Sequence, residues 1–282
     1  MIDAHLHLWH YNPNEYAWID DSMQPLRRDF LVEELAMNMT AAGVTAGIAV
    51  QARQTVEETQ WLLEVAKHQP ALAGVVGWLP IESDTFAEEL QRARENPLLK
   101  GIRHIVQAEP EGFLLRPAFL KGIRALLPTG LPYDILIHHQ QLEETIAFVD
   151  RNPEQVFVLD HLAKPPIAAG KTAPWAAHIR RLAERENVYA KVSGLVTEAD
   201  WKHWTDEDLL PYMDIALEAF GPSRLMAGSD WPVCTLGVSY TQWWGLLNQW
   251  VGSLSTVEQE QILSRTAQIA YRLTDDLGEK SA

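Results

Sequence analysis

Two histidines one residue apart, His5 and His7, stand in the run Ile-Asp-Ala-His-Leu-His at residues 2–7. Side chains alternate faces along a strand, so this run predicts Asp3, His5 and His7 on one face and Ile2, Ala4 and Leu6 on the other. Two neutral ring nitrogens at i and i+2 can converge on one borderline cation such as zinc. Near the other end of the chain, Gly-Ser-Asp at 228–230 offers a carboxylate, Asp230, just before Trp231 and Pro232. Asp230 suits proton transfer or metal ligation at a strand end, and its structural alternative is a turn-capping aspartate.

Further polar residues fall at the ends of apolar runs. In Asp160-His161-Leu162-Ala163-Lys164-Pro165, alternation places Phe157, Leu159 and His161 on one face. Asp160 falls on the other, where it would orient neighbours rather than react. Arg103 and His104 are adjacent, so one of the two points inward; an arginine there would present a fixed fork of donors. His138 and His139 pose the same choice, with His138 favoured as inward. His68, His178 and His203 read as surface or helix residues.

Eight short apolar or β-branched runs carry these residues: 2–7, 44–51, 72–79, 99–106, 133–139, 156–162, 188–195 and 224–230. Amphipathic stretches alternate with them. One spans 56–68 behind the capping pair Thr55 and Glu58; another runs from Leu142 with Ile146 and Val149 at i+4 and i+7; a last opens at Ser255 with Glu258 as its reciprocal cap. Eight strand–helix units predict a (β/α)8 barrel, one domain over 1–282, with working residues at the C-terminal strand ends. The longest irregular connection is 163–173.

The chain carries 23 Lys plus Arg against 38 Asp plus Glu, a net charge of −15 that argues against nucleic acid and anionic membranes as partners. With hydrophobic residues at 47%, there is material for one large core. The lone Cys234 can form no internal disulfide and reads as a small buried residue. The sequence shows no export signal and no apolar run near the length of a membrane span, so a cytoplasmic protein is expected. Homo-oligomerisation is left open.

Taken together, IDAHLHLW, GIRH, LDHLAKP, KVSGL and GSDWPV resemble the motif set of the amidohydrolase superfamily, across the whole chain. The set is most similar to the branch containing sugar-acid lactonases of the L-fucono and L-rhamnono type and dicarboxylate-pyrone lactonases. The resemblance implies that His5, His7, His138, His161 and Asp230 surround a divalent metal. Arg103 and His104 stand where binuclear members carry a bridging ligand, which disfavours a two-metal site. The lactonase branch also includes members that work without metal. No obligatory cofactor is therefore expected, and a single divalent ion, zinc first, would sit on His5, His7, His161 and Asp230.

The reaction this implies is hydrolysis of a sugar lactone, with Asp230 as general base and acid and His161 as its catalytic partner. His5, His7, Gln51, Arg103, His104, His138, Lys164 and Trp231 are the expected substrate-binding residues, and Trp9 and Trp18 could also close over a sugar ring. Of the eleven tryptophans, Trp61, Trp243 and Trp250 fall at helical positions and read as packing. The rival readings are a metal-dependent amidohydrolase or decarboxylase on the same fold, and an inert barrel that binds sugar acids.

Overall fold

The structure, a computed structural model, describes residues 1–273, so the last part of the domain expected over 1–282 lies outside the described residues. Eight strands form one parallel sheet in chain order: β1 (Ile2–Leu6), β2 (Ala46–Val50), β3 (Leu72–Gly77), β4 (Leu99–His104), β5 (Tyr133–Ile135), β6 (Phe157–Leu159), β7 (Val188–Val192) and β8 (Leu225–Ala227). Beyond the end of β8 the sheet closes on itself through a parallel bridge between Trp231 and Leu6, the last residue of β1. The Asp230 amide donates to the His5 carbonyl there, at 2.8 Å. The result is a (β/α)8 barrel.

Eight principal helices cover it: α1 (Val32–Ala42), α2 (Val56–His68), α3 (Phe86–Ala93), α4 (Pro117–Leu126), α5 (Leu142–Asp150), α6 (Trp175–Ala183), α7 (Asp206–Phe220) and α8 (Tyr240–Val251). A C-terminal helical segment follows from Thr256 to Ala270. Among the described residues, no helix is long and apolar enough to cross a membrane. The expected cap at Ser255 is reciprocal with Glu258. At α2, Thr55 accepts from the Glu58 amide, but the Glu58 carboxylate bonds instead to the amides of Ala52 and Arg53 and the Tyr16 hydroxyl. That side chain ties the loop after β2 to its helix.

The lumen is layered. Its lower part is apolar, with Ile2, Ala4, Ile48, Val50, Val76, Val158 and Met226 packed together and Tyr271 and Leu273 closing it from below. This corrects the expectation for β1: Ile2 and Ala4 join the lumen cluster, whereas Asp3 turns away and accepts from Ser229 Oγ at 2.6 Å and Tyr240 OH at 3.0 Å. The reason is a bulge. The register moves three residues on β1 between Asp3 and Leu6 and only two on β2, and the extra residue swaps the faces so that His5 and His7 enter the lumen.

Candidate active site

Asp230 sits at the mouth of the barrel with three imidazoles aimed at its Oδ1: His7 Nε2 at 3.3 Å, His5 Nε2 at 3.8 Å and His161 Nε2 at 3.9 Å. Each ring is fixed by a partner on its other nitrogen. His7 Nδ1 donates to the Val50 carbonyl at 2.7 Å, which fixes the ring with Nε2 facing the site. His161 Nδ1 meets Ser193 Oγ at 2.9 Å. His5 Nδ1 faces both Lys191 Nζ at 3.1 Å and Asp160 Oδ1 at 3.3 Å, so either of its tautomers has a partner.

Local backbone geometry aims these groups. Asp230 has φ 58°, and the preceding Ser229 is pinned to Asp3 through both its amide and its hydroxyl. After β6, His161, Leu162, Ala163 and Lys164 all lie in the left-handed region, with φ between 50° and 60°, at a cost on the order of 1–2 kcal/mol per residue. Trp175 Nε1 donates to the Leu162 carbonyl at 2.7 Å and holds the turn. This turn overrides strand alternation, so Asp160 and His161 both face inward, contrary to the opposite faces expected for them. Gly194, at φ +62°, is required because a Cβ there would lie 2.6 Å from His161 Nδ1 and 3.0 Å from Asp230 Oδ2.

Burial drives His5 well below the ordinary histidine range and His161 down to about 4. Burial alone would raise Asp230, but His161, His7 and His5 around it outweigh that and hold it below the usual carboxylate range. At neutral pH the centre is therefore a carboxylate facing two neutral imidazoles, those of His5 and His161.

Above it opens a cavity of about 500 Å³. Its walls include His7, Trp18, Arg103, His138, His161, Lys164, Glu198, Trp201 and Asp230. A groove of similar size between α2 and α3 lies on the outer face of the helix layer, away from these converging groups. Arg103 is the inward member of its pair and donates to Asp160 Oδ2 at 2.9 Å, with Nη1 3.4 Å from His5 Nε2. His138 lines the cavity, while His139 Nδ1 donates to the Lys164 carbonyl.

Four expected substrate contacts lie elsewhere. His104 faces the helix layer because its neighbour Arg103 faces in; it stacks on Phe113 at 5.0 Å, accepts from Trp78 and donates to Glu109. Gln51 is fully buried and braces Arg103, whose Nη2 donates to its carbonyl. Trp231 follows the bridge to Leu6 outward and meets Phe30 edge-on at 5.4 Å. His5 is fully buried beneath the cavity floor. Trp9 is buried too, so Trp18, 39% exposed, is the expected aromatic that reaches the cavity, joined by the unforeseen Trp201.

Sequence reasoning also missed the ladder under the site. Lys191 Nζ reaches Asp134 Oδ2 at 2.6 Å, Asp160 Oδ1 at 2.9 Å and His5 Nδ1, and Tyr271 OH donates to Asp134 at 2.7 Å. The signal was present: in Tyr-Ala-Lys-Val-Ser, alternation puts Lys191 and Ser193 on one face of β7.

A family model described as Amidohydrolase matches residues 2–273. The chain belongs to the amidohydrolase family. A relative from Burkholderia multivorans named L-fucono-1,5-lactonase is 39% identical to this amidohydrolase, over 97% of this chain and 96% of its own. Another of that name, from Burkholderia ambifaria, is 35% identical over 83% and 81%. A crystal structure of an amidohydrolase from Burkholderia multivorans with bound zinc is 39% identical. It covers 97% of this chain and 99% of its own, with a TM-score of 0.94.

The donor set of this amidohydrolase fits a single divalent ion. His5, His161 and Asp230 offer ligand atoms that all lie within 4.8 Å of one another. His7 Nε2 adds a fourth, 3.2 Å from His5 Nε2. His7 Nε2 and the Asp230 carboxylate oxygen meet in a buried contact of 3.3 Å, which a proton or a cation between them satisfies. His138, matched to a ligand by resemblance, is outside this group and belongs to the cavity wall.

Proposed function

We propose that this amidohydrolase opens the ring of a neutral sugar lactone to the sugar acid, with aldono-1,5-lactones such as L-fucono-1,5-lactone as its substrates. One observation carries the reading: an anionic Asp230 ringed by imidazoles at the floor of a cavity with apolar and polar walls, in a chain 39% identical to a lactonase over nearly its whole length. The cavity, at about 500 Å³, is large enough for a sugar ring.

Water attacks the lactone carbonyl while Asp230 accepts its proton; the tetrahedral intermediate collapses with cleavage of the ring C–O bond, and Asp230 returns the proton to the leaving alkoxide. His161, in the tautomer with Nδ1 accepting from Ser193, and Arg103 at the cavity wall are the donors for the developing oxyanion. Trp18 and Trp201 offer apolar surface to the ring, and His138 and Lys164 meet its hydroxyls. A divalent ion, when bound, would be held by His5, His7, His161 and Asp230 and would supply Lewis acidity to the carbonyl oxygen. The same reading places the enzyme in the cytoplasm with no nucleic-acid or membrane partner, supported by the net charge of −15 and the absence of any helix able to span a membrane among the described residues.

Proton release followed with a pH indicator over a panel of aldono-1,4- and 1,5-lactones tests this, repeated after exhaustive chelation with metal content measured alongside. Turnover of neutral aldonolactones is the expected result. Hydrolysis of amides alone, or release of carbon dioxide from an aromatic acid, overturns it.

A further inference from the structure

Glu198 stands in the cavity wall on the loop after β7, its Oε1 3.6 Å from Nζ of Lys164 on the loop after β6. Both side chains are about four-fifths buried, at 23% and 19% exposure. Lys164 reaches this place through the left-handed turn at 161–164, so its position is imposed on the backbone rather than drifting at a surface. Burial pushes the Glu198 carboxyl above its ordinary range, Lys164 opposes that, and Asp230 is a like-charged neighbour.

Among the described residues, the cations lining the cavity are Arg103 and Lys164. Arg103 is held by Asp160 at 2.9 Å and Lys164 by Glu198. An anion entering the cavity therefore meets two engaged cations and two carboxylates, Asp230 and Glu198, on a chain of net charge −15. A neutral polyol meets no such penalty, and the Glu198 carboxylate can accept from its hydroxyls.

We propose that Glu198 is a specificity residue that neutralises Lys164 and so selects neutral lactones against lactones carrying a carboxylate. The proposal rests on the lactonase reading of the cavity. It gives the rejection of charge a named element, since removing the Glu198 carboxylate would turn Lys164 into a free cation for a substrate carboxylate.

The test compares kcat/KM for neutral aldonolactones with that for monolactones of aldaric acids. In Glu198→Gln, the anionic-to-neutral ratio should rise by about tenfold or more, and inhibition by the aldonate product should tighten in parallel. Adding Lys164→Met to that variant should return the ratio to the wild-type value. Lys164→Gln alone, which leaves Glu198 unpaired, should lower the ratio, so the proposal stays testable even if Glu198→Gln fails to fold. A folded, active Glu198→Gln enzyme with its ratio within twofold of wild type overturns the proposal. So does loss of neutral-lactone turnover through kcat alone, which would make Glu198 part of the chemistry. A wild-type enzyme that opens no lactone would instead sink the underlying reading.

Discussion

Two layers of one barrel lumen carry charged side chains and use them in different ways. In the upper layer, Asp230, His7 and His161 border a cavity. In the layer below, Asp160, Lys191 and Asp134 are engaged with one another, and Arg103, which also borders the cavity, is tied to them through Asp160. The three N–H donors of Lys191 find Asp134, Asp160 and His5. Both layers are buried, and their residue types overlap. The difference lies in access: a buried charge that meets only other protein charges is structural, whereas one that borders a cavity is free to act on a ligand. His5 belongs to both, with Nδ1 in the ladder and Nε2 at the centre.

A pair of variants breaks this comparison if it is wrong. Asp230→Asn should lower kcat/KM by about 10³ to 10⁴-fold while costing less in urea unfolding than the loss of Lys191, because its side chain faces ligand space. Lys191→Met should do the reverse in emphasis, costing about 3–5 kcal/mol of stability because Asp134 and Asp160 lose their shared cation. Equal stability losses in the two variants would erase the distinction between the layers.

A smaller effect concerns Asp3, which braces Ser229, next to Asp230, from outside the lumen. Burial raises its carboxyl from 3.8 to about 6 against the pull of its hydrogen bonds. The folded chain thus binds this proton more tightly than the unfolded one. The resulting stability is full below 3.8 and is lost as pH rises through about 6. The difference in unfolding free energy, wild type minus Asp3→Asn, should therefore fall by on the order of 3 kcal/mol from about pH 3.5 to pH 7. A difference that is flat with pH would show that the Asp3 carboxyl titrates alike in the folded and the unfolded chain.

The smallest effect is expected at His104, which packs against Phe113 and Phe119 in the helix layer. His104→Gln should leave KM for lactones within about twofold, since no contact with the cavity is lost. A tenfold rise in KM would return this residue to the site.

The sequence determined by itself the alternation of strands and helices, and with it the barrel. It also determined which strand ends carry ionisable residues, because hydrophobic period and residue type are local properties written along the chain. His5, His7, His161 and Asp230 were legible for that reason. Which way side chains point was decided by tertiary structure, wherever the period-two rule is broken. The bulge in β1 reversed the faces of Asp3 and Ala4, and the left-handed turn after β6 brought Asp160 and His161 inward together. Closure of the barrel then joined residues far apart in the chain: Lys191 to Asp134 and Asp160, and Glu198 to Lys164. A local pattern can say that a residue lies at a strand end, but its charge partner is chosen across strands, by geometry that exists only once the sheet has closed.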